Sequence, residues 1–413
     1  MINVEKQKCI VELGNTKINC VIAEPDKDYR IKILARSSAL STGIHNGVII
    51  NPSKTIKEIK DCISDIESKI NITIKKINLV FESPEFTCTR LSKYVKIDGA
   101  KIQKEDIVFL LKEAKKEVIF NDKNKTIIHI FNHNYIVDEK EFIKEPIDVY
   151  ADYLSHEMTF ITLPKNIIKN FNEVLFECDL EIERLISSTF ALAVNYFNDT
   201  EFELGSTIID IGYEKTSVGV FKDFALIHSR TFPIGIHHVS KDISRGCSLT
   251  LKEAKTIRDQ IGCNFWKKNI NLETETSLPK NIFFESSYRK ITKSLVSEII
   301  IARIEEILEL VKKEINLARL NLISGQSIFI VGGGSYLPNL KKFCETFFSA
   351  NVKILEHLNN NSKSVVEKQE DFASCNGALK IIFYGWETEA LPAIVDKNQK
   401  KRGFFSKILG YGT

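Results

Sequence analysis

Ile328-Phe329-Ile330-Val331-Gly332-Gly333-Gly334-Ser335-Tyr336-Leu337-Pro338 (IFIVGGGSYLP) is the stretch that decides the fold. Four β-type apolar residues run into three glycines, a serine and a Leu-Pro step, the pattern of a buried strand ending in a turn with exposed backbone. Two other stretches share that plan, Cys9 to Val21 (CIVELGNTKINCV) and Thr207 to Val220 (TIIDIGYEKTSVGV). Each reads as an apolar strand, an acidic residue, one apolar residue and a glycine, then hydroxyl and amide residues leading into a second strand. Glycine lets backbone N–H groups approach a phosphate closely, Ser, Thr and Lys supply further donors, and a carboxylate can hold hydrated Mg2+. Taken singly, each stretch is also what a plain tight turn or hairpin start looks like. Their order along the chain points to a nucleotide gripped from two sides.

Composition bounds the reading. With 413 residues, 43% hydrophobic and 27% charged, the chain can bury substantial cores in two or more domains. A net charge of +3 and the lack of a long basic stripe argue against a dedicated nucleic-acid binder. Nine cysteines are scattered singly without a Cys-x-x-Cys, which predicts reduced, buried, cytosolic thiols and no zinc site. The polar start, Met1 to Lys8, predicts no signal peptide, and no apolar run is long enough to predict a membrane span.

Helical spacing of apolar residues predicts helices over 56–69, 105–118, 164–178 and 187–197, and a long amphipathic helix over 288–320. Strands are predicted at 31–35, 77–82, 158–163 and 182–186. Between 83 and 156 the pattern changes to short strands around one helix, which reads as a small inserted α+β unit. Thr250 and Glu253 have capping-box spacing. Residues 387–399 read as a polar linker. The end of the chain then carries Lys400, Lys401, Arg402, Phe404, Phe405, Lys407, Ile408 and Leu409. On a helix the four apolar residues share one face. So short a helix forms only against something apolar, and its cations suit an anionic leaflet, which predicts a reversible interfacial anchor strengthened by polymerisation. A helix docked on its own core is the alternative.

The order of two acidic hairpins and a glycine turn resembles the actin and sugar-kinase nucleotide fold, an α/β architecture of two related halves. Nearly the whole chain is similar to the family of the bacterial cell-division protein FtsA. Besides the three turns and the terminal anchor, the matching segments are Thr42 to Val48, Ile128 to Pro146 (with Asn132 where proline is usual), Phe232 to Ile243 and Ala302 to Ile307. The insertion also falls where this family carries its distinctive subdomain. The resemblance implies a first half of residues 1–82 with 157–205, a second half of 206–386 with a partner-binding subdomain at 225–322, and a membrane-targeting segment at 400–413. It further implies a peripheral protein at the division site on the cytoplasmic face of the membrane. Such a protein binds ATP and Mg2+, forms filaments, tethers the FtsZ ring through the FtsZ C-terminal peptide and meets later division proteins.

Carried over by resemblance, Gly14, Asn15, Thr16 and Lys17 form the first phosphate loop, and Asp210, Gly212, Lys215 and Thr216 the second. Glu12, where the family has Asp, and Asp210 hold Mg2+ through water. Lys255 and Arg258 lie on the ribose helix, and Gly332, Gly333, Gly334 and Ser335 form the adenosine turn. Tyr213 and Glu214 replace small residues and would crowd and repel a triphosphate, which implies weak or absent hydrolysis. The membrane residues are Lys401, Arg402, Phe404, Phe405, Lys407, Ile408 and Leu409. Other readings are a sugar- or acetate-type kinase with Asp210 as general base, a pilus-type actin-like scaffold, and a chaperone-like ATPase, for which the 75 residues after Pro338 are too few. His237 and His238 read as loop polar groups and Arg303 with Glu306 as a surface pair. Arg289, Lys290, Lys293 and Arg303 are candidates for meeting an acidic peptide.

Overall fold

The computed structural model describes residues 6–142, 146–263, 276–318, 326–354 and 372–390. The first elements are β1 (Lys8–Leu13), β2 (Lys17–Pro25), β3 (Ile31–Leu40), β4 (Ile44–His45), β5 (Val48–Ile49), α1 (Pro52–Ile70) and β6 (Lys76–Phe81). An inserted sheet and helix follow: β7 (Thr87–Lys101), α2 (Lys104–Asn121), β8 (Lys125–Val137), β9 (Lys140–Phe142) and β10 (Tyr150–Pro164). Next come α3 (Lys165–Phe176), β11 (Glu181–Ser187), α4 (Ser188–Tyr196) and α5 (Asp199–Leu204). The remainder is β12 (Ser206–Ile211), β13 (Thr216–Lys222), β14 (Ala225–Phe232), α6 (Ile236–Cys247), α7 (Leu251–Ile261), α8 (Lys293–Leu317), β15 (Ser327–Val331), α9 (Leu340–Phe348), β16 (Asn351–Ile354) and α10 (Ala373–Tyr384).

Two five-stranded sheets repeat one plan. Their orders are β3-β2-β1-β6-β11 and β14-β13-β12-β15-β16. In the first, β1 pairs antiparallel with β2 and parallel with β6; in the second, β12 pairs parallel with β15. A hairpin strand thus lies at the centre of each sheet, beside a strand reached only by a crossover. Buried strands such as CIVEL and SIFIV read as nearly unbroken apolar runs for this reason.

Caps set the helix boundaries. Asn51 accepts from the Lys54 N–H and Pro52 opens α1, so this helix begins four residues before its first apolar residue, Ile56. Helix α8 begins at Lys293 and not at Tyr288, because Thr292 caps it by accepting from the Leu295 N–H at 3.2 Å. The inserted sheet, of order β7-β10-β8-β9, also runs past the expected boundary at residue 156. Its strand β10 continues to Pro164, with Met158–Thr162 paired to Thr87–Leu91 of β7. Helix α2 covers one face of this sheet with Ile107, Leu110, Leu111 and Ala114.

The chain divides into two compact units, Met1–Gly205 with Gly219–Arg230 and Val365–Thr413, and Ser206–Val218 with Thr231–Ser364. Phe221, Phe224 and Trp386 join Phe190, Phe197 and Phe202 in one aromatic cluster of the first unit. Helix α10 packs on α4 so closely that a Cβ at Gly377 would lie 1.8 Å from the Ala191 carbonyl oxygen.

Candidate functional site

The first loop joins β1 to β2. Gly14 closes it by donating its N–H to the Lys17 carbonyl at 3.0 Å, and a Cβ there would stand 2.7 Å from that oxygen. Glu12 lies opposite Asn19 in the β1–β2 register, and its Oε2 accepts from Asn19 Nδ2 at 2.9 Å. Asn19 Oδ1 in turn accepts from Ser38 Oγ at 2.8 Å, so the carboxylate is oriented by a relay across three strands. Asn15 Oδ1 accepts from the Gly47 N–H at 3.2 Å, while Thr16 and Lys17 are exposed.

The second loop, within the other unit, repeats this closure. Gly212 donates to the Lys215 carbonyl at 2.9 Å, so Glu12-Leu-Gly-x-x-Lys and Asp210-Ile-Gly-x-x-Lys are the same hairpin end. The contents differ. Ile236 and His237, in the first turn of α6, donate their N–H groups to the carbonyls of Gly212 (2.9 Å) and Tyr213 (2.8 Å). The Tyr213 ring stacks on His237, with centroids 4.4 Å apart. His237 and His238 therefore sit on a helix, not in a loop, and burial lowers the pKa of each. Thr216 Oγ1 donates to the Ile234 carbonyl at 2.7 Å, and Lys215 is buried.

The glycine turn follows β15, beside β12. Gly332 has φ 82°, and a Cβ on it would lie 2.1 Å from Asp210 Oδ1; at Gly334 it would lie 2.3 Å from Ile211 Cγ2. Packing against the acid-bearing strand thus requires both glycines. Gly333 differs, because a Cβ there would meet nothing within 4 Å. Gly333 is exposed. Ser335 Oγ is used within the turn, donating to the Gly332 carbonyl at 2.7 Å.

On α7, Lys255 is exposed. Arg258 is buried and committed locally, donating to Ser240 Oγ at 2.9 Å, the Ile236 carbonyl at 3.3 Å and Asp259 Oδ1 at 2.8 Å. Its role is to bind α7 to α6. Glu253 completes the expected capping box. Burial opposes its charge, but the Ser286 hydroxyl and the N–H groups of Glu285, Thr250 and Ser286 prevail and bring its pKa to about 2. Arg303, expected to pair with Glu306 and a candidate for an acidic peptide, also binds Asp242 of α6, with Nε to Oδ2 at 2.6 Å.

A further cluster, invisible to local sequence patterns, lies in the first unit. The stretch expected to begin a linker starts as a docked strap. Asn132 donates its N–H and its Nδ2 to the Thr388 carbonyl at 2.8 and 3.0 Å, and Ala390 donates its N–H to the Ile130 carbonyl at 2.9 Å. Trp386 Nε1 and Thr388 Oγ1 both donate to the Phe224 carbonyl, at 2.7 and 2.8 Å. Glu389 is buried between Arg184 of β11 and His129 of β8, with His129 Nδ1 2.6 Å from Oε1. His129 Nε2 accepts from the Ser187 N–H at 3.0 Å, which leaves Nδ1 to donate to the carboxylate. Burial alone would raise the pKa of Glu389, yet the Arg184 guanidinium, His129 and the hydrogen bonds from both hold it at about 2. Residues 391–413, including the seven expected membrane residues, lie outside the described residues.

Comparison with known proteins agrees with this architecture. Residues 207–377 match the family model of cell division protein FtsA, and residues 85–162 match the SHS2 domain inserted in FtsA. Cell division protein FtsA of Borreliella burgdorferi is 26% identical over 407 residues, covering 97% of each chain. Among solved structures, a chain of the PilM-PilN type IV pilus biogenesis complex superposes with a TM-score of 0.62 at 13% identity, covering 92% of this chain and 98% of that one. MreB5 of Spiroplasma citri bound to ADP gives a TM-score of 0.51 at 13% identity, covering 91% and 96%. The fold is actin-like, with a small α+β insertion, and the chain belongs to the family of the cell division protein FtsA.

Proposed function

We propose that this cell-division protein is an ATP-binding membrane anchor that tethers the FtsZ ring to the cytoplasmic face of the membrane and helps assemble the septal machinery. The observation that carries the reading is the repeated hairpin end, an acid followed by Gly-x-x-Lys with the same closing hydrogen bond, at the centre of each of two sheets built on one plan. Two phosphate loops of that kind, an open glycine turn at Gly333 and a cationic, apolar chain terminus belong to one device. Gly14, Asn15, Thr16, Lys17, Gly212, Lys215 and Thr216 would hold phosphates, Glu12 and Asp210 would hold Mg2+ through water, and Lys255 and the 332–335 turn would hold adenosine. Arg258 leaves this set, since its guanidinium is spent between α6 and α7.

Bound ATP would supply phosphate charge for the two loops to hold, and filament formation would depend on that nucleotide. Tyr213 and Glu214 in the second loop would crowd and repel a triphosphate, so that turnover is weak or absent. Residues 225–322 are the surface for the FtsZ C-terminal peptide. Arg289, Lys290 and Lys293 remain its candidate cations, while Arg303 is held by Asp242 and Glu306. Filaments would multiply a weak single-copy lipid anchor.

The test is co-sedimentation with vesicles containing anionic lipid, with ATP and Mg2+, comparing the full chain with one ending at Gln399. Only the full chain should pellet. Equal pelleting of both would remove the tether reading. A fluorescent ATP analogue that fails to bind with Mg2+ present would remove the nucleotide reading.

A further inference from the structure

This inference rests on the tether reading and extends it to a second lipid-facing surface. The side of α2 turned away from the inserted sheet carries Glu105, Phe109, Lys112, Lys116 and either Ile119 or Phe120, with Lys123 in the turn beyond. Spacings of three and four place them on one stripe. Phe109, Ile119 and Phe120 are 49%, 50% and 75% exposed. Single exposed apolar residues are ordinary, but Phe109 and Phe120 interleaved with lysines on one helix face, with Ile119 at its flank, have the make-up of an interfacial helix.

The acids beside the stripe are engaged: Glu113 with Lys116 at 2.6 Å, Glu117 with Lys93, Asp122 with Lys125 at 3.2 Å, and Asp106 with the Gln103 N–H at 2.7 Å. Glu105, at the N-terminal end, has no cationic partner among the described residues. Lys112 and Lys123 have no carboxylate partner among the described residues, and Lys123 lies over the Phe120 ring at 5.7 Å.

The end of the strap adds a second, independent observation. Ala390 packs in the same core cluster as Leu111 and Ala114, with Val118 against it. The chain therefore leaves for residues 391–413 from beneath α2. The 13 residues between Ala390 and Phe404 reach at most ~45 Å, and α2 itself is ~27 Å long. Two occupants of the stripe are within reach, the tail itself and a lipid surface. Lys400, Lys401, Arg402 and Lys407 would meet Lys112, Lys116 and Lys123 with like charge, whereas an anionic leaflet attracts both sets. We infer that the outer face of α2 lies on anionic lipid headgroups beside the tail, with Phe109 and Phe120 in the interface.

Vesicle binding by the full chain tests this, using phosphatidylcholine with about a third phosphatidylglycerol. Phe109→Ser with Phe120→Ser should weaken binding about tenfold, and Lys112→Glu with Lys123→Glu should do the same on these vesicles. The parent's amides over 109–123 should exchange more slowly when vesicles are present. If both double variants bind like the parent while the chain ending at Gln399 does not bind, the α2 surface is overturned and the tether stands. If the chain ending at Gln399 binds like the parent, the tether reading itself fails. Slow exchange over 109–123 without vesicles, lost when the tail is removed, would show the tail covering α2 and would also overturn the inference.

Discussion

Glu389→Gln should release the strap. The substitution keeps the shape and one acceptor but leaves the Arg184 guanidinium, only 9% exposed, without a countercharge. Removing one partner of a buried ion pair costs about 3–5 kcal/mol. Linkage gives a similar size: a carboxylate held at about 2 rather than the ordinary 4.5 carries on the order of 3 kcal/mol. Because the folded pKa is depressed, that stability is present above about pH 4.5 and is lost as pH falls towards 2. Trp386 reports the event, since its indole packs on Phe190 and Phe202 and donates to the Phe224 carbonyl. With Trp266→Phe as background, Trp386 would be the single indole, and its emission should move to longer wavelength at lower urea in the Gln variant. Arg184→Met with Glu389→Leu should cost less than Glu389→Gln alone, because no buried charge is stranded. A Gln variant within about 1 kcal/mol of its parent would refute the reasoning.

Three further outcomes are expected. Asn132→Pro removes both hydrogen bonds to the Thr388 carbonyl, and hydrogen exchange at residues 386–390 should rise while β12–β16 are unaffected. Gly332→Ala, at φ 82° and 2.1 Å from Asp210 Oδ1, should cost at least about 2 kcal/mol in urea unfolding, whereas Gly333→Ala should stay within about 0.5 kcal/mol and change only nucleotide affinity. Burial lowers His133 to about 4 and His156 to about 3, against 6.5 in the unfolded chain. The unfolded chain therefore takes up the protons first, and urea midpoints should fall between pH 7 and pH 5 by on the order of 2 kcal/mol for each histidine, an effect that His156→Phe should reduce.

Periodicity and caps made the regular elements legible. Helices α1 to α4 were readable because their apolar faces recur at helical spacing, and α7 because Thr250 and Glu253 announce its start. Strand β10 reaches from Tyr150 to Pro164, whereas only 158–163 reads as a strand by its apolar run, because the polar residues from Asp152 to Glu157, His156 among them, hide its first half. In the fold His156 is buried and stacked on Tyr135 at 4.3 Å. The two hairpins are legible because an apolar strand, an acid, one apolar residue and a glycine recur in the same order before a second strand. That Arg258 would be spent on Ser240 and Ile236 was not visible, since the contact depends on how α6 meets α7. Glu387 to Glu389 read as solvated linker for a similar reason. A carboxylate is classed as polar until its guanidinium partner, 205 residues away, is known.

The docked strap also decides where mechanical load enters the molecule. Any pull on the chain beyond Ala390 acts first on the Ala390–Ile130 and Asn132–Thr388 hydrogen bonds at the edge of β8, then on the Glu389 lock. Tension arriving from the C-terminus is therefore borne by the inserted sheet and β11 before it can reach α10.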